Sequence, residues 1–147
     1  MNNSQLYFAY GMNTNHIEMS FRCPDAFALG HARLIDHAFR FAVHADVVPC
    51  EGSYVDGVLW RITDRDLDSL DILEGYPTYY GRNSLRVSIE SRIVQAVCYS
   101  MQPGRPDSPP SAGYMNMVQA GYEQHQVPTE QLWNWVDLVA QNTTIKI

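Results

Sequence analysis

The sequence predicts an α+β fold, namely a small and mostly antiparallel β-barrel with flanking α-helices. About six strand-like segments come first and are separated by turns rather than by helices, which favours antiparallel pairing. Two segments with apolar residues at helical spacing close the chain. A length of 147 residues fits one domain, which is expected to span residues 1–147.

The chain begins with an apolar and aromatic strand that leads into a glycine turn. Residues 6–10, LYFAY, favour a strand, and the turn of residues 11–13, GMN, follows at once. A helix over His16–Arg22 is predicted next, and Pro24 ends it. Such a junction brings several free backbone N–H groups to one point, where they can bind a carboxylate or a phosphate. The sequence therefore predicts a candidate anion cradle at this glycine, although most strand–glycine–helix junctions bind nothing.

The middle of the chain is predicted to supply the remaining strands. The first two of these are joined by a short turn and the last two form a hairpin turning near Ser91-Arg92: residues 27–35, 39–43, 54–62, 85–89 and 94–101. Residues 47–53 contain proline, glycine and serine and are predicted as a turn.

An acidic helix is predicted between the third and fourth of these strands. Thr63 suits an N-cap, and Asp66 can complete a capping box three residues later. Gly75 supplies the left-handed residue that ends many helices, and Pro77 prevents the helix from resuming. Three leucines are spaced for one inward apolar face: Leu67, Leu70 and Leu73.

Glu74 is the candidate acid or base of the chain, because it lies at the C-terminal end of this helix. The helix dipole and nearby Asp71 both disfavour a negative charge there, so we expect the pKa of its carboxyl to be raised toward neutrality. A general base requires such a pKa. The alternative is an ordinary surface carboxylate before a turn.

The last part of the chain is predicted as a loop and two helices. Residues 102–110 carry four of the eight prolines and are expected to wrap over the domain as a loop. One helix is predicted over about residues 112–125. The other follows Pro128 and places its apolar positions inward: Leu132, Trp135, Val136 and Val139.

Charge and motifs exclude several functions. A net charge of −6 without a basic run argues against a nucleic-acid or anionic-membrane surface, so neither partner is expected. The five histidines lack metal-ligand spacing, and His37 and His44 are predicted to be structural. Nucleophile-elbow and nucleotide-binding glycine motifs are missing, so no metal and no cofactor is expected.

The cysteines and the N-terminus predict a cytoplasmic protein. Cys23, Cys50 and Cys98 are odd in number and far apart, and we expect buried thiols in a reducing compartment. The first residues, MNNSQ, lack the layout of a signal peptide, and no apolar run approaches the length of a membrane span.

Four stretches in the same order resemble the γ-glutamylcyclotransferase-like (AIG2-like) family of small β-barrel enzymes and their relatives. Each corresponds to a family motif: residues 7–13, YFAYGMN, to YFAYGSN; residues 54–60, YVDGVLW, to V-x-G-V-x-W; residues 70–75, LDILEG, with Tyr80-Gly-Arg82, to L-D-x-x-E-G and Y-x-R; and Pro109-Pro110, Tyr114, Gly121 and Pro128 to the P-P…Y…G…P tail. The resemblance covers nearly the whole chain, from about residue 6 to the last helix.

The resemblance implies a reaction and a site. In that family the substrate's α-amino group attacks its own γ-carbonyl, which releases 5-oxoproline and an amine without a metal, cofactor or covalent enzyme intermediate. Glu74 is implied as the general acid/base. The implied substrate-binding residues are Tyr7, Phe8, Ala9, Tyr10, Gly11, Met12, Asn13, Tyr80 and Tyr114. Backbone N–H groups around Gly11 and Met12 would receive the α-carboxylate of a small γ-glutamyl substrate. For Tyr114, the residues alone left a core role and a pocket role open.

Met12 departs from the family pattern, which has serine there. A hydroxyl is lost and a bulky thioether enters the expected mouth of the pocket, so free γ-glutamyl amino acids are less favoured than another γ-glutamyl amide. One alternative is a non-catalytic binding module on the same fold. Another is an interaction protein that uses Trp133 and Trp135 of the last helix, and a homodimer is left open.

Overall fold

The computed structural model describes residues 4–145, and the side chains among them up to residue 139. Five strands close into a barrel in the order β1-β3-β2-β4-β5. Their bounds are β1 Ser4–Ala9, β2 Phe27–Ala42, β3 His44–Thr63, β4 Tyr80–Ile89 and β5 Arg92–Met101. Neighbours pair antiparallel except β1 and β5, which close the barrel in parallel through Tyr7 and Val97. The predicted α+β class and mostly antiparallel sheet are confirmed.

Four helices flank the barrel, namely α1 His16–Arg22, α2 Asp64–Leu73, α3 Ala112–Gln124 and α4 Glu130–Ile145. A short 3-10 turn, Met12–Thr14, precedes α1. The side chain of Asn15 caps α1 by accepting from two backbone N–H groups. Thr63 and Asp66 form the predicted capping box of α2. The bounds of α1 and the capping box of α2 agree with the sequence prediction, whereas the cap at Asn15 was not predicted.

The strands β2 and β3 differ from the sequence prediction. Residues 27–35 and 39–43 belong to one strand, and the predicted turn of residues 47–53 lies inside β3. Ile35 pairs with Tyr54 and His37 pairs with Pro49, so residues 50–53 bulge out opposite Asp36.

The bulge accounts for the turn chemistry of this stretch. The carboxylate of Asp36 accepts the N–H of Gly52 at 2.9 Å, and Gly52 has a φ of 83°. The chain reverses instead at Val43, whose φ is 67°. The barrel therefore has five strands rather than six.

Two further sequence predictions are wrong at single residues. Cys23 and Cys98 are buried as expected, but Cys50 lies in the bulge and is exposed. In α2, Leu70 is fully buried and Leu67 is half-buried, whereas Leu73 is 45% exposed. Instead of packing in the core, Leu73 lines a cavity at the end of its helix.

The last part of the chain covers one side of the β2–β3 hairpin. Ser108 exchanges backbone hydrogen bonds with Phe41 and Val43, each at 3.0 Å, which confirms a proline-rich loop wrapped over the domain. On α4, Leu132 is fully buried and Trp135 packs edge-on against Phe41 with ring centroids 5.3 Å apart. Trp133 is 41% exposed, so of the two tryptophans it is the one that faces outward.

None of the helices within residues 4–145 has the length and apolar character of a membrane span. Residues 1–3, on which the expectation about a signal peptide partly rests, lie outside the described range.

Candidate active site

A cavity of about 460 Å³ lies where the end of β1, the 3-10 turn, the end of α2 and the tip of the β2–β3 hairpin meet. It brings together all the site residues implied by the family resemblance except Ala9. The implied residues that line it are Tyr7, Phe8, Tyr10, Gly11, Met12, Asn13, Glu74, Tyr80 and Tyr114. Ala9 does not line it. Ala9 is buried, and its carbonyl packs so closely on Gly57 that a Cβ there would lie 2.3 Å from the oxygen.

Eight further residues, which were not predicted from the sequence as site residues, line the cavity. They are Arg22, His44, Ala45, Ile72, Leu73, Gly75, Tyr79 and Tyr99. Adjacency to Glu74 and Tyr80 could have indicated four of them, namely Ile72, Leu73, Gly75 and Tyr79. The others come from α1, β3 and β5, and only the tertiary fold brings them to the cavity.

Glu74 is half-buried in the cavity wall, so it is not the surface carboxylate of the alternative interpretation. Its backbone N–H bonds to the carbonyl of Leu70 at 2.8 Å, and Gly75 follows with a φ of 63°. Its Oε1 accepts from Asn13 Nδ2 at 3.3 Å. Burial raises the pKa of Glu74 to about 7, while the charge of Arg22 and the Asn13 hydrogen bond act in the opposite direction.

The raised pKa was expected, but its cause differs from the sequence argument. Burial of the Glu74 carboxyl is the main cause, not Asp71. The Asp71 carboxylate is engaged elsewhere, because it accepts hydrogen bonds from Arg82 and from the hydroxyl of Tyr99.

Asn13 connects the glycine turn with Glu74. Its Oδ1 accepts from Arg22, which can only donate, so its Nδ2 must face the opposite way. That Nδ2 donates to Glu74 and to the Tyr7 hydroxyl, the latter at 3.0 Å. Among the described residues no acceptor takes the hydroxyl proton of Tyr7, which is therefore available to a group bound in the cavity.

Tyr114 and Tyr80 hold the backbone of Ala45 at the cavity wall. The Tyr114 hydroxyl accepts the N–H of Ala45 at 3.0 Å. The Tyr80 hydroxyl donates to the carbonyl of Ala45 at 2.8 Å. Burial raises the pKa of Tyr114 to about 12, so its phenol stays protonated at neutral pH and can donate to a ligand.

The glycine turn presents backbone donors to the same cavity. The carbonyl of Gly11 accepts from the N–H and hydroxyl of Thr14, which fixes the turn. Within the described residues, the N–H groups of Gly11 and Asn13 have no acceptor. A Cβ on Gly11 would lie 3.0 Å from the Cβ of Ala45 and 3.1 Å from the Tyr114 hydroxyl, so any larger residue would have to displace one of these neighbours by a few tenths of an ångström.

The described residues contain no cluster of three or more histidine, cysteine or acidic side chains suited to a metal ion. Glu74 and a set of uncharged donors are the chemical groups that the cavity offers, together with Arg22 and His44 at its edge. This arrangement can bind an anionic group and transfer protons.

Fold and cavity together define a small barrel protein with a half-buried carboxyl suited to acid/base chemistry beside a glycine turn that presents N–H donors. A family model described as gamma-glutamyl cyclotransferase, AIG2-like, matches residues 7–130. The chain belongs to this family.

Relatives carry the same name. The chain is 29% identical over 145 residues to the bovine (Bos taurus) gamma-glutamylcyclotransferase, covering 86% of this chain and 74% of that protein. The human (Homo sapiens) gamma-glutamylcyclotransferase is 28% identical with the same coverage. A solved structure of a gamma-glutamyl cyclotransferase superposes with a TM-score of 0.81 at 26% identity, covering 90% of this chain and 86% of that one. The predicted family, fold and class of enzyme are thereby confirmed.

Proposed function

We propose that this protein releases 5-oxoproline from a small γ-glutamyl amide or γ-glutamyl amino acid. The substrate's α-amino nitrogen attacks its own γ-carbonyl carbon, a C–N bond forms within the glutamyl group, and the original amide C–N bond breaks. Family membership supports the reaction class. The choice of Glu74 as the acid/base is supported by the chemistry of the cavity.

The observation that carries the proposal is a carboxyl with a pKa of about 7 in the wall that also contains the glycine turn. A group that must take a proton from nitrogen and later return one works best when its pKa is near ambient pH. Asn13 joins the two parts of the site, since its backbone belongs to the turn and its side chain donates to Glu74. Binding at the turn would therefore place a substrate within reach of Glu74.

The donors around the turn suit the α-carboxylate of a γ-glutamyl group. The N–H groups of Gly11 and Asn13 and the hydroxyls of Tyr7 and Tyr114 converge on one cavity, where they are removed from bulk water. Holding the carboxylate there would fold the flexible glutamyl chain so that its α-nitrogen meets its γ-carbonyl. Fixing the α-carboxylate in this way restricts the flexible glutamyl chain to a conformer that can react.

Proton transfers in this reaction balance without water. The α-ammonium has three protons and the lactam nitrogen keeps one, so two protons leave the α-nitrogen. The amide nitrogen starts with one proton and departs as an ammonium group with three, so it gains two. In the proposal Glu74 accepts protons from the first nitrogen and delivers them to the second, and its charge is restored at the end of the cycle.

The deciding experiment measures 5-oxoproline release from γ-glutamyl amino acids, γ-glutamyl amines and glutathione. Glu74→Gln preserves the shape of the side chain and should lower the rate by about 10²–10⁴, the usual contribution of a general acid/base. Glu51→Gln, an exposed carboxylate in the β3 bulge, is the matched control and should keep the parent rate.

The outcomes separate the candidate functions. Undiminished turnover by Glu74→Gln would remove Glu74 from the mechanism. A folded protein that releases no 5-oxoproline from the panel, but whose melting temperature rises with 5-oxoproline, would favour the binding module instead. A cytoplasmic location, the lack of a nucleic-acid partner and a homodimer stay predictions from the sequence.

A further inference from the structure

The mouth of the cavity is apolar on the side of α2. Ile72 and Leu73 both line the cavity, yet they are 84% and 45% exposed. By contrast, Tyr7, Tyr10 and Tyr80 line it and are buried, which places them deep. Met12, half-buried in the glycine turn, also lines the cavity. We call Ile72 and Leu73 the apolar wall.

The apolar wall lies where the departing half of a substrate must pass. In the proposed reaction Glu74 delivers a proton to the leaving nitrogen, so that nitrogen must come within hydrogen-bond distance of the Glu74 carboxyl. Ile72 and Leu73 are the two residues that immediately precede Glu74 in the chain. A substituent on the leaving nitrogen that extends toward solvent therefore runs along the last turn of α2.

The charges at the mouth disfavour a cationic leaving group. Among the described residues that line the cavity, Glu74 is the sole carboxylate, while Arg22 and His44 are basic. Arg22 is half-buried and lies 3.4 Å from Glu18, which is outside the lining. A cation carried by the leaving amine would thus meet like charge, or would compete for the carboxyl that the reaction needs.

We propose that the apolar wall binds the side chain of the leaving amine, so that the preferred substrates are γ-glutamyl amides whose amine carries a bulky apolar group and no cation. This inference rests on the proposed function. When a substrate is bound, an apolar group that covers the exposed side chains of Ile72 and Leu73 lowers the free energy of the complex, because both apolar surfaces leave water. The occupant is the substrate itself, since the wall is continuous with the cavity.

The test compares kcat/KM for 5-oxoproline release within two matched pairs. One pair is γ-glutamyl-leucine and γ-glutamyl-alanine, and the other is γ-glutamyl-isopentylamide and γ-glutamyl-methylamide, which lack the second carboxylate. The larger apolar member should be preferred by about tenfold in both pairs, as contact with a few methylene groups provides. γ-Glutamyl-lysine, linked through its α-nitrogen, should be no better than the alanine compound.

These outcomes are distinct from failure of the proposed function. No release from any compound would overturn the proposed reaction. Release with equal kcat/KM within the pairs, a preference confined to one pair, or a preference for the lysine compound would leave the reaction standing and overturn the apolar wall.

A pair of variants locates the preference. Ile72→Gln should reduce the leucine-to-alanine ratio severalfold, because it places an amide in the wall. Ile93→Gln is the matched control, since Ile93 is 62% exposed on β5 and lies outside the cavity lining. Its ratio should equal that of the parent protein.

Size-exclusion chromatography of the same variants tests the other occupant. The parent and Ile72→Gln should elute at the same position. A dimer that Ile72→Gln dissociates while keeping the parent ratio would assign the wall to a second copy of the chain and overturn the proposal.

Discussion

At the scale of single residues, the surroundings of Glu74 disfavour the ionised carboxylate that a general base must have. Its carboxyl is half-buried, and within the described part of the chain the Asn13 amide and the nearby charge of Arg22 are the groups that favour the ionised form. The result is a pKa of about 7 rather than 4.5, so both protonation states are populated near neutral pH. The same property affects turnover and stability in opposite directions.

Turnover should rise with pH through the pKa of Glu74. Below about 7 the carboxyl is protonated and cannot accept a proton from the substrate's ammonium group. We therefore expect kcat/KM to fall about tenfold per pH unit well below that value. A pH–rate profile measures this, and the residual activity of Glu74→Gln should lack the same limb. A profile flat from pH 5 to pH 8 would contradict the assignment.

Stability should change with pH in the other direction. The folded pKa of Glu74 is raised from 4.5 to about 7. The stabilising contribution of the protonated Glu74 carboxyl to the free energy of unfolding is therefore fully present below the pKa of the unfolded state. It is lost as the pH rises through the pKa of the folded state. Glu74→Gln, always neutral, should be more stable than the parent at pH 8 by as much as about 3 kcal/mol, and similar to it at pH 4.5. Urea unfolding at both pH values checks this, with Glu51→Gln showing no such difference.

Removing the Tyr114 hydroxyl should weaken both the fold and substrate binding. In Tyr114→Phe the buried N–H of Ala45 loses its acceptor, which costs about 1–3 kcal/mol. A donor to the substrate is lost as well, so KM should rise. Tyr54→Phe is the control, because Tyr54 is exposed and Arg33 stacks on its ring rather than on its hydroxyl. Equal KM values for the Tyr114→Phe variant and the parent would place the phenol outside the binding site.

At the scale of secondary-structure elements, α3 supports the glycine turn from behind. Gly121 packs so closely on the turn that a Cβ would lie 2.2 Å from Thr14 Oγ1 and 2.6 Å from the nitrogen of Asn15. The Thr14 hydroxyl in turn donates to the carbonyl of Gly11. The helix and the glycine turn therefore cannot move independently at this point.

Two glycines of the same helix should respond oppositely to alanine. Gly121→Ala should lose about 1–3 kcal/mol through overpacking and should raise KM, because it displaces Thr14 and with it the turn. Gly113→Ala has no atom within 4 Å of the new Cβ, so the higher helix propensity of alanine should stabilise the protein. That gain is at most about 0.5–1 kcal/mol, the value for a helix interior, because Gly113 is the second residue of α3. Thermal unfolding and substrate kinetics of both variants distinguish packing from propensity, and stabilisation by Gly121→Ala would contradict the close contact.

Elements with local signals could be predicted from the sequence. The cap at Thr63 and the glycine at position 75 act within one turn of a helix, so adjacent residues carry the information. The bulge of residues 50–53 could not be separated from a turn. Its proline, glycine and serine suit either, and the pairing of Asp36 with Gly52 across the hairpin decides between them.

At the scale of the whole molecule, the cavity combines residues from distant parts of the chain. Glu74 and the glycine turn could be predicted, because each lies in a short motif with its own chemistry. Arg22 and Tyr99 could not, since an arginine at a helix end and a tyrosine in a strand are ordinary. Their role depends on the packing of α1 beside the turn and on closure of the barrel between β1 and β5.

The chain should unfold as one cooperative unit. Trp60 is buried on β3, and Trp135 joins α4 to β2 by packing on Phe41, so helices and barrel share one core. Tryptophan fluorescence and far-UV circular dichroism should give coincident urea transitions, as expected for a single domain. A separate early change in fluorescence that disappears in Trp135→Phe would instead show that α4 detaches first.

Ala45 has a consequence for how this site would look in a mutational scan. The main chain of this one residue is held on both sides, because the N–H of Ala45 donates to the hydroxyl of Tyr114 and the carbonyl of Ala45 accepts from the hydroxyl of Tyr80. Its contribution is carried by main-chain groups, which every amino acid except proline supplies. A scan would record intolerance of bulk at position 45 and two separate sensitive tyrosines. The main-chain hydrogen bonds that connect these three positions would not be identified by substituting side chains.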